Sequence, residues 1–312
     1  MITYFSPGPT HSFWEDHWAG HTIQELLREA RRSPLTGLIE AALPPRGEVL
    51  EAGCGLGQYV LLFRERGRQA VGVDRTFEPL RECRKASPGA PVVLMDLRRL
   101  GFRPGAFSAY VSLGVVEHDP EGPDAILREA RRVLEPGGVL ILSVPYVNGV
   151  RRLGTWWIRL RNRRVRAAGG EFYQFAFSRR EVRALLAARG FRILWLTPYD
   201  PARLLRKALG NLVRPPHPAP LECPSPLLLI PPHPALSPSG GEDEGEGIIS
   251  GVRGGEDEGE GIISGVRGAE DKGEGEARGA GGFKRTVRRL LYTPPLLRLL
   301  GHMILFVAVK AD

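Results

Sequence analysis

Three glycines at alternate positions constrain the fold of this chain more than any other feature. In residues 49–60, V-L-E-A-G-C-G-L-G-Q-Y-V, an apolar run ends in Glu51, and Gly53, Gly55 and Gly57 precede a helical pattern. This order predicts a buried strand that enters a helix through a turn where the backbone can approach a ligand, because no Cβ atoms are present. The carboxyl end of such a strand suits a nucleotide-like ligand. A tight turn without a ligand is the alternative.

Two later apolar runs also end in acids. Residues 69–74, Q-A-V-G-V-D, end in Asp74. This acid lies about twenty residues after the first glycine, where a carboxylate can accept hydrogen bonds from both ribose hydroxyls. Residues 91–96, P-V-V-L-M-D, end in Asp96, and residues 107–113, F-S-A-Y-V-S-L, read as a fourth strand. Strands that alternate with helical segments in this way predict a parallel sheet.

The order of these motifs resembles the class I S-adenosylmethionine (SAM)-dependent methyltransferases. The spacing E-x-G-x-G-x-G is similar to their motif I and differs from the dinucleotide fingerprint, whose last glycine would stand at Gln58. Residues 132–145, R-V-L-E-P-G-G-V-L-I-L-S-V-P, continue the series, which is nearest to the type 11 group. The resemblance covers residues 46–145 strongly and 172–199 loosely. It implies an α/β fold with a doubly wound, seven-stranded and mostly parallel sheet.

The resemblance also implies a cofactor site for SAM. Asp74 would bind the ribose, Asp96 would contact the adenine amino group, and the backbone amide of Leu97 would meet the adenine ring. The implied cofactor-binding residues are Glu51, Gly53, Gly55, Gly57, Asp74, Asp96 and Leu97.

His118 is the catalytic candidate, because it follows the fourth strand on the loop that would face the methyl group. A histidine can act as a general base near neutral pH. In the resembling group its role is often positional, and both roles stay open. Glu117 and Asp119 would orient it or cap the next helix. The implied activity is methyl transfer from SAM to a small-molecule, lipid-linked or glycan-linked acceptor. The alternatives are an RNA or protein methyltransferase and a non-catalytic protein with this fold.

The cysteines exclude several classes of site. Cys54, Cys83 and Cys223 form no C-x-x-C pair and have no histidine partner, so we expect a reducing compartment with neither disulfides nor a zinc site. None stands at a nucleophile-like position, and residues 112–115, S-L-G-V, lack an N-P-P-Y-like cluster, which argues against DNA as the acceptor.

The first residues show no signal-peptide pattern, so we expect a cytoplasmic protein. A peripheral contact with a membrane surface stays open.

Residues 151–168 carry seven arginines and no acid. The apolar residues at helical spacing within them are Leu153, Trp156, Trp157 and Leu160. Such a helix would meet anionic lipid headgroups or a phosphate-bearing acceptor, or it would be a plain lid with a solvated basic face. Residues 171–177, E-F-Y-Q-F-A-F, would line an apolar acceptor pocket or fill the core.

An insertion interrupts the domain before its last strand. Residues 241–254 and 255–268 are identical 14-residue repeats of mostly glycine and acid, which can bury too little apolar surface to offset their ordering entropy. Residues 241–276 carry a net charge of −9, so the rest of the chain carries +17. That surplus, nearly all arginine, fits either an anionic partner or GC-rich coding alone. We expect the strands at 191–197 and 303–310 to be antiparallel neighbours across the insertion.

Four parts follow from this organisation. They are a helical preface at 1–45, a SAM-binding domain at 46–210 with a lid at 151–177, a disordered low-complexity insertion at 211–282, and a helix with the last strand at 283–312.

Overall fold

A computed structural model describes residues 1–7, 13–201 and 291–311. Its strands are β1 Ile2–Ser6, β2 Val49–Ala52, β3 Ala70–Asp74, β4 Val92–Leu94, β5 Phe107–Leu113, β6 Leu134–Pro145, β7 Glu171–Ala176, β8 Phe191–Tyr199 and β9 Met303–Lys310. Its helices are α1 Phe13–Ala19, α2 Ile23–Arg32, α3 Pro34–Ala42, α4 Gln58–Glu65, α5 Phe77–Ala86, α6 Asp124–Val133, α7 Gly149–Leu153, α8 Thr155–Ala167, α9 Arg179–Ala188 and α10 Pro294–Leu300. A 3-10 turn at Val116–His118 follows β5.

Seven strands form one sheet in the order β4-β3-β2-β5-β6-β9-β8. Neighbouring strands run parallel from β4 to β6, and β9 is antiparallel to both β6 and β8. The strand order reverses at β2, as in a doubly wound sheet, so the loops after β2 and β5 diverge and leave a crevice at the carboxyl edge. The predicted fold class is confirmed.

The last strand completes the interior of the sheet. β9 pairs with β8 along its whole length, from Phe191 opposite Lys310 to Tyr199 opposite Met303. The predicted antiparallel pairing is therefore confirmed, and β8 extends two residues beyond its predicted end. The predicted insertion at 211–282 lies outside the described residues.

Both faces of the sheet are covered by helices, which explains the continuous apolar runs of its strands. Along β6, Leu140 and Leu142 belong to one buried apolar layer, whereas Val139 and Ile141 belong to the other. The sheet is therefore buried on both sides, and only its edges and the loops at the strand ends reach solvent.

The N-terminal part contains a strand that the helical prediction for 1–45 missed. Residues 23–42 form α2 and α3, but β1 pairs antiparallel with β7, with Thr3 opposite Phe175. We call this pair the β1–β7 ribbon. The segment I-T-Y-F is β-branched and aromatic, which favours a strand. Its partner is about 170 residues away, so local sequence could not identify it.

The arginine-rich segment forms two helices instead of the single helix we expected. α7 ends and α8 begins around Gly154, and the hydroxyl of Thr155 donates to the carbonyl oxygen of Arg152. The aromatic segment after them is β7, in which Phe175 is buried. None of the helices in the described ranges has the length and apolarity to cross a membrane.

Phe306 tests whether β9 belongs to the core. Its side chain is fully buried, so Phe306→Ala should lower the free energy of unfolding by about 3–5 kcal/mol. Phe77→Ala is the matched control, because Phe77 is half exposed and its loss should cost less than about 1 kcal/mol. Urea unfolding measures both values, and equal costs would contradict the central position of β9.

Candidate functional site

The candidate site lies at the carboxyl ends of β2 to β5, where a cavity of about 260 Å³ opens. Its walls come from the turn after β2, the strand-end acids, the loop after β5 and helix α1. Most of the residues that the sequence predicted for the site meet in this cavity. Those that line it are Glu51, Gly53, Asp74, Asp96, Leu97 and His118.

The glycine turn requires glycine for steric reasons. Gly53, Gly55 and Gly57 have φ angles of 83°, 52° and 75°, which strain residues that carry a side chain. A Cβ atom at Gly53 would overlap Val115, and one at Gly55 would overlap the ring of Trp18. Gly53 also lines the cavity, so its missing side chain leaves room for a ligand as well.

Asp74 connects the end of β3 to the glycine turn. Its carboxylate is buried, and it accepts the backbone N–H of Gly55 at 2.9 Å on one oxygen and that of Thr76 at 2.9 Å on the other. A carboxylate has about four acceptor positions. Two of them remain for a ligand's hydroxyl groups on the side that lines the cavity.

Glu51 caps helix α4. The helix starts after Gly57, which has no side chain to cap it, and the Glu51 Oε2 atom accepts the backbone N–H of Val60 at 2.9 Å. Burial raises the pKa of Glu51 well above its usual value, although this hydrogen bond opposes the shift. The acid of the glycine motif thus has a structural role in addition to its place in the cavity wall.

Asp96 differs from the other two acids because it is nearly half exposed and forms an ion pair. Its Oδ2 atom accepts a hydrogen bond from the Arg98 guanidinium nitrogen Nη2 at 2.7 Å, and this hydrogen bond lowers the pKa of Asp96. Leu97, next to it, is buried in the cavity wall. A ligand that used the Asp96 carboxylate would share it with Arg98.

His118 is fixed in one neutral tautomer. Its Nδ1 atom lies 2.8 Å from the carbonyl oxygen of Tyr173, so Nδ1 carries the hydrogen and Nε2 keeps a lone pair. The ring of Trp14 meets the His118 ring edge to face at a centroid distance of 4.7 Å. Burial lowers the pKa of His118 to about 4, so the imidazole is neutral at physiological pH.

The acids that flank His118 have different roles. Asp119 accepts the backbone N–H of Glu121 at 3.0 Å and so caps a turn. Glu117 is buried, and its Oε1 atom lies 4.0 Å from His118 Nε2, beyond hydrogen-bond distance. Among the described residues its Oε2 atom has no hydrogen-bond partner, and burial raises the pKa of Glu117 to about 8. Glu117 is therefore mostly protonated at neutral pH.

Helix α1 forms a cover over the first cavity, a role that the prediction of a helical preface did not assign to it. Trp14 and Trp18 are four residues apart, so they lie on one face of the helix, and both line the cavity together with His17. Trp14 contacts His118, and Trp18 lies against Gly55. The four-residue spacing of the two tryptophans indicates that they share one face of a helix. The residues that they contact are far away in sequence, so the spacing does not identify them.

A second cavity of about 310 Å³ adjoins the first. Four residues line both cavities: Trp14, Arg75, His118 and Pro120. The remaining wall of the second cavity comes from Glu171, Phe172 and Tyr173 of β7. His118 therefore borders both cavities.

The first cavity fits the chemistry of SAM. Asp74 retains acceptor positions for two hydroxyls, Gly53 leaves the space that a Cβ atom would fill, and Leu97 gives an apolar wall for a ring. Within residues 1–7, 13–201 and 291–311, no group of three or more His, Cys, Asp or Glu side chains is placed to hold a metal ion.

Comparisons with known proteins point to the same chemistry. The family model described as "Methyltransferase domain" matches residues 50–142. The trans-aconitate 2-methyltransferase of Azoarcus sp. (strain BH72) is 31% identical over 200 residues, which cover 60% of this chain and 73% of that protein. The malonyl-(acyl-carrier protein) O-methyltransferase of Serratia marcescens is 30% identical over 113 residues, which cover 36% of this chain and 44% of that enzyme.

The extent of these matches differs. The chain spans about half the length of the first curated relatives that it matches, 51% of one and 44% of another. Among solved structures, a chain of the complex that contains the Haloferax volcanii Trm112 methyltransferase activator has a TM-score of 0.52 at 13% identity, over 96% of this chain and 98% of that one. That likeness is one of fold.

Asp74 should decide the affinity for SAM. Asp74→Asn keeps the shape of the side chain but removes its charge and one acceptor, so SAM binding should weaken by about 1.5–3 kcal/mol, as for a lost charge-assisted hydrogen bond. Calorimetric titration with SAM measures the affinity. Glu135→Gln, an exposed acid at the opposite edge of the sheet, is the control. Unchanged affinity in a folded Asp74→Asn protein would contradict the assignment.

Glu117 and His118 should change stability in different pH ranges. The Glu117 carboxyl has a pKa of about 8 in the folded protein and 4.5 in the unfolded chain. Between these pH values it is protonated only in the folded state, so stability falls as pH rises. His118, with a pKa of about 4 folded and 6.5 unfolded, binds its proton only in the unfolded state between those values, so stability rises with pH there. Of the two residues, Glu117 acts alone between pH 6.5 and 8.

Glu117→Gln removes that contribution. Between pH 6.5 and 8 the free energy of unfolding of the unmodified protein should fall relative to that of the variant, by up to about 1.4 kcal/mol per pH unit. Urea unfolding across this range measures the difference. His118→Gln should instead change the slope only below pH 6.5. Parallel stability curves for Glu117→Gln and the unmodified protein would show that Glu117 is not buried as an acid.

Proposed function

The chain belongs to the class I SAM-dependent methyltransferases, and we propose that it transfers a methyl group to an acidic oxygen of a small-molecule acceptor. The acceptor is free or is carried on a lipid or a glycan. The observation that carries the proposal is the junction of two cavities at His118, where a donor in one cavity would face an acceptor in the other.

The first cavity is proposed to hold the cofactor. Asp74 would accept the ribose hydroxyls, Asp96 and the backbone amide of Leu97 would meet the adenine ring, and the turn at Gly53 would let the ligand approach the backbone. When bound, SAM supplies a methyl group that is already activated on a sulfonium. The protein therefore needs mainly to align the acceptor and exclude water. The cover from Trp14 and Trp18 supports the second task.

His118 supports an acceptor that carries an acidic hydroxyl. Because Nδ1–H donates to the Tyr173 carbonyl oxygen, the Nε2 lone pair is available to accept a hydrogen bond from an acceptor O–H. A histidine whose pKa is about 4 is a weak base, and a carboxylic acid is already ionised at neutral pH and needs no base. The proton-accepting role therefore applies to an acceptor whose oxygen arrives protonated, such as an enol or an acidic phenol. We propose that His118 orients such a group and receives its proton as the oxygen bonds to the methyl carbon.

Arg75 favours an anionic acceptor. It lines both cavities, and its positive charge contributes to lowering the pKa of His118, so its field reaches the imidazole. A cation beside the second cavity would attract a carboxylate and stabilise the deprotonated oxygen. The names of two relatives, the malonyl-(acyl-carrier protein) O-methyltransferase and the trans-aconitate 2-methyltransferase, agree with a small-molecule acceptor.

Labelled SAM tests the proposal. Purified protein is incubated with SAM that carries a deuterated methyl group and with an extract of cells that lack the gene, and mass spectrometry follows the label. We expect the label in a small molecule, and mild base should release it as methanol if the product is an ester. Label in RNA or protein would support the alternative acceptors. No transfer by protein that binds SAM would support a non-catalytic role.

The role of His118 can be measured once an acceptor is identified. His118→Gln should lower kcat by about 100-fold or more, as expected for a lost proton acceptor, and should leave the affinity for SAM nearly unchanged. His21→Gln is the matched control, because His21 is exposed and does not line either cavity. A kcat for His118→Gln equal to that of the control would contradict the proposed role.

A further inference from the structure

An exposed apolar patch covers helices α7 and α8. Nine large apolar side chains are exposed in the described part of the chain, and five of them belong to this patch. The most exposed are Leu153, at 79% of its surface, Trp156 at 60% and Trp157 at 59%. The others are Val150 on α7 and Leu299 on α10, which contacts Gly149 at the start of α7. Large exposed apolar side chains that cluster in this way mark an interaction site.

The opposite face of α8 is already engaged with the protein. The Asn162 side chain donates a hydrogen bond to the carbonyl oxygen of Thr3, and Val165 lies against Gly170. The two tryptophan rings stay outside this contact and stack on each other at a centroid distance of 4.7 Å. The helix is therefore held by one face while its tryptophans point to solvent.

The patch is surrounded by positive charge without matching acids. In the described residues, six arginines of the helix pair form no ion pair with a carboxylate: Arg152, Arg159, Arg161, Arg163, Arg164 and Arg166. A second exposed patch, with Phe77 and Leu94 near helix α5, differs in this respect. There, Glu82 lies between Arg81 and Lys85 and pairs with Lys85 at 2.7 Å.

We propose that α7 and α8 dock on an anionic membrane surface. Trp156 and Trp157 would enter the boundary between headgroups and acyl chains, and the arginines would bind the phosphate and carboxylate groups of the lipids. A helix of 13 residues extends about 20 Å, which suits a helix that lies in the plane of the interface.

The composition of the patch favours lipid over two other partners. Tryptophans beside arginines could stack on RNA bases, but Leu153, Val150 and Leu299 are aliphatic and gain from contact with hydrocarbon rather than with bases. A second copy of the chain would meet this surface through the same residues across a two-fold axis. That contact would bring unpaired arginines together without acids to offset their repulsion.

The patch and the candidate site are joined through the β1–β7 ribbon. Helix α8 contacts β1 through Asn162, β1 pairs with β7, and the Tyr173 carbonyl oxygen of β7 binds His118. A protein held by α8 would keep its second cavity near the membrane surface. The docking inference itself goes beyond the proposed function, because it stands on the surface of α7 and α8 whatever the acceptor is.

Vesicle sedimentation tests the docking. The full chain should sediment with vesicles of phosphatidylcholine and phosphatidylserine, should stay in solution with phosphatidylcholine alone, and should be released as salt rises. The double variant Arg163→Gln, Arg164→Gln should lower the partition coefficient about 30-fold, because each cation near the surface contributes about 1 kcal/mol to binding. Trp156→Ala with Trp157→Ala should lower it about tenfold or more.

The second patch supplies matched controls. Arg81→Gln with Lys85→Gln removes the same charge, and Phe77→Ala with Leu94→Ala removes comparable exposed apolar groups. Both double variants should bind vesicles as the unmodified chain does. Circular dichroism and the affinity for SAM confirm that each variant is folded.

Three outcomes would overturn the docking proposal. The first is equal binding to neutral and anionic vesicles, and the second is binding that only the control variants reduce. The third is evidence that the patch binds another partner. Complete displacement of the chain from vesicles by single-stranded RNA would identify RNA as that partner. A dimer in light scattering that the double variant Trp156→Ala, Trp157→Ala dissociates would identify a second copy of the chain.

Discussion

Two buried carboxylates hold the glycine turn, and the geometry of the site depends on them. Glu51 accepts the N–H of Val60 and so fixes the start of α4, and Asp74 accepts the N–H of Gly55 and ties the turn to the end of β3. A buried amide that lost its partner would cost free energy. The backbone of the turn is therefore fixed by the fold before any ligand arrives, and a ligand does not have to order it.

The other half of the site is assembled from distant parts of the chain. His118 is held between Trp14 of α1 and the carbonyl oxygen of Tyr173 in β7, two segments that do not belong to the seven-stranded sheet. The proposed cofactor cavity is built mainly on rigid strand ends with α1 as its cover, whereas the proposed acceptor cavity takes much of its wall from the added strand β7. Such a division allows the acceptor to change while the cofactor site stays the same, as in folds that support many reactions.

The sequence predicted the parts of the structure that short-range patterns determine. The glycine turn and the strand-end acids are local, because strand, turn and helix follow one another within a few residues, and the sheet order follows from that repeated unit. The β1–β7 ribbon and the contact between Trp14 and His118 depend on pairs separated by more than one hundred residues. The sequence also left open the roles of the two acids beside His118: Asp119 caps a turn, and Glu117 is buried 4.0 Å from the His118 ring. Local patterns contain no information about such tertiary partners.

The position of β9 makes the order of synthesis matter. β9 lies inside the sheet between β6 and β8, yet more than one hundred residues separate Tyr199 from Met303. A ribosome needs about 5–20 s to add a segment of that length. During this interval β6 and β8 have been made but their shared partner has not, and unpaired strand edges are sites of aggregation. The yield of folded protein in a cell should therefore depend on translation speed and on chaperones that cover those edges, as well as on the stability of the finished sheet.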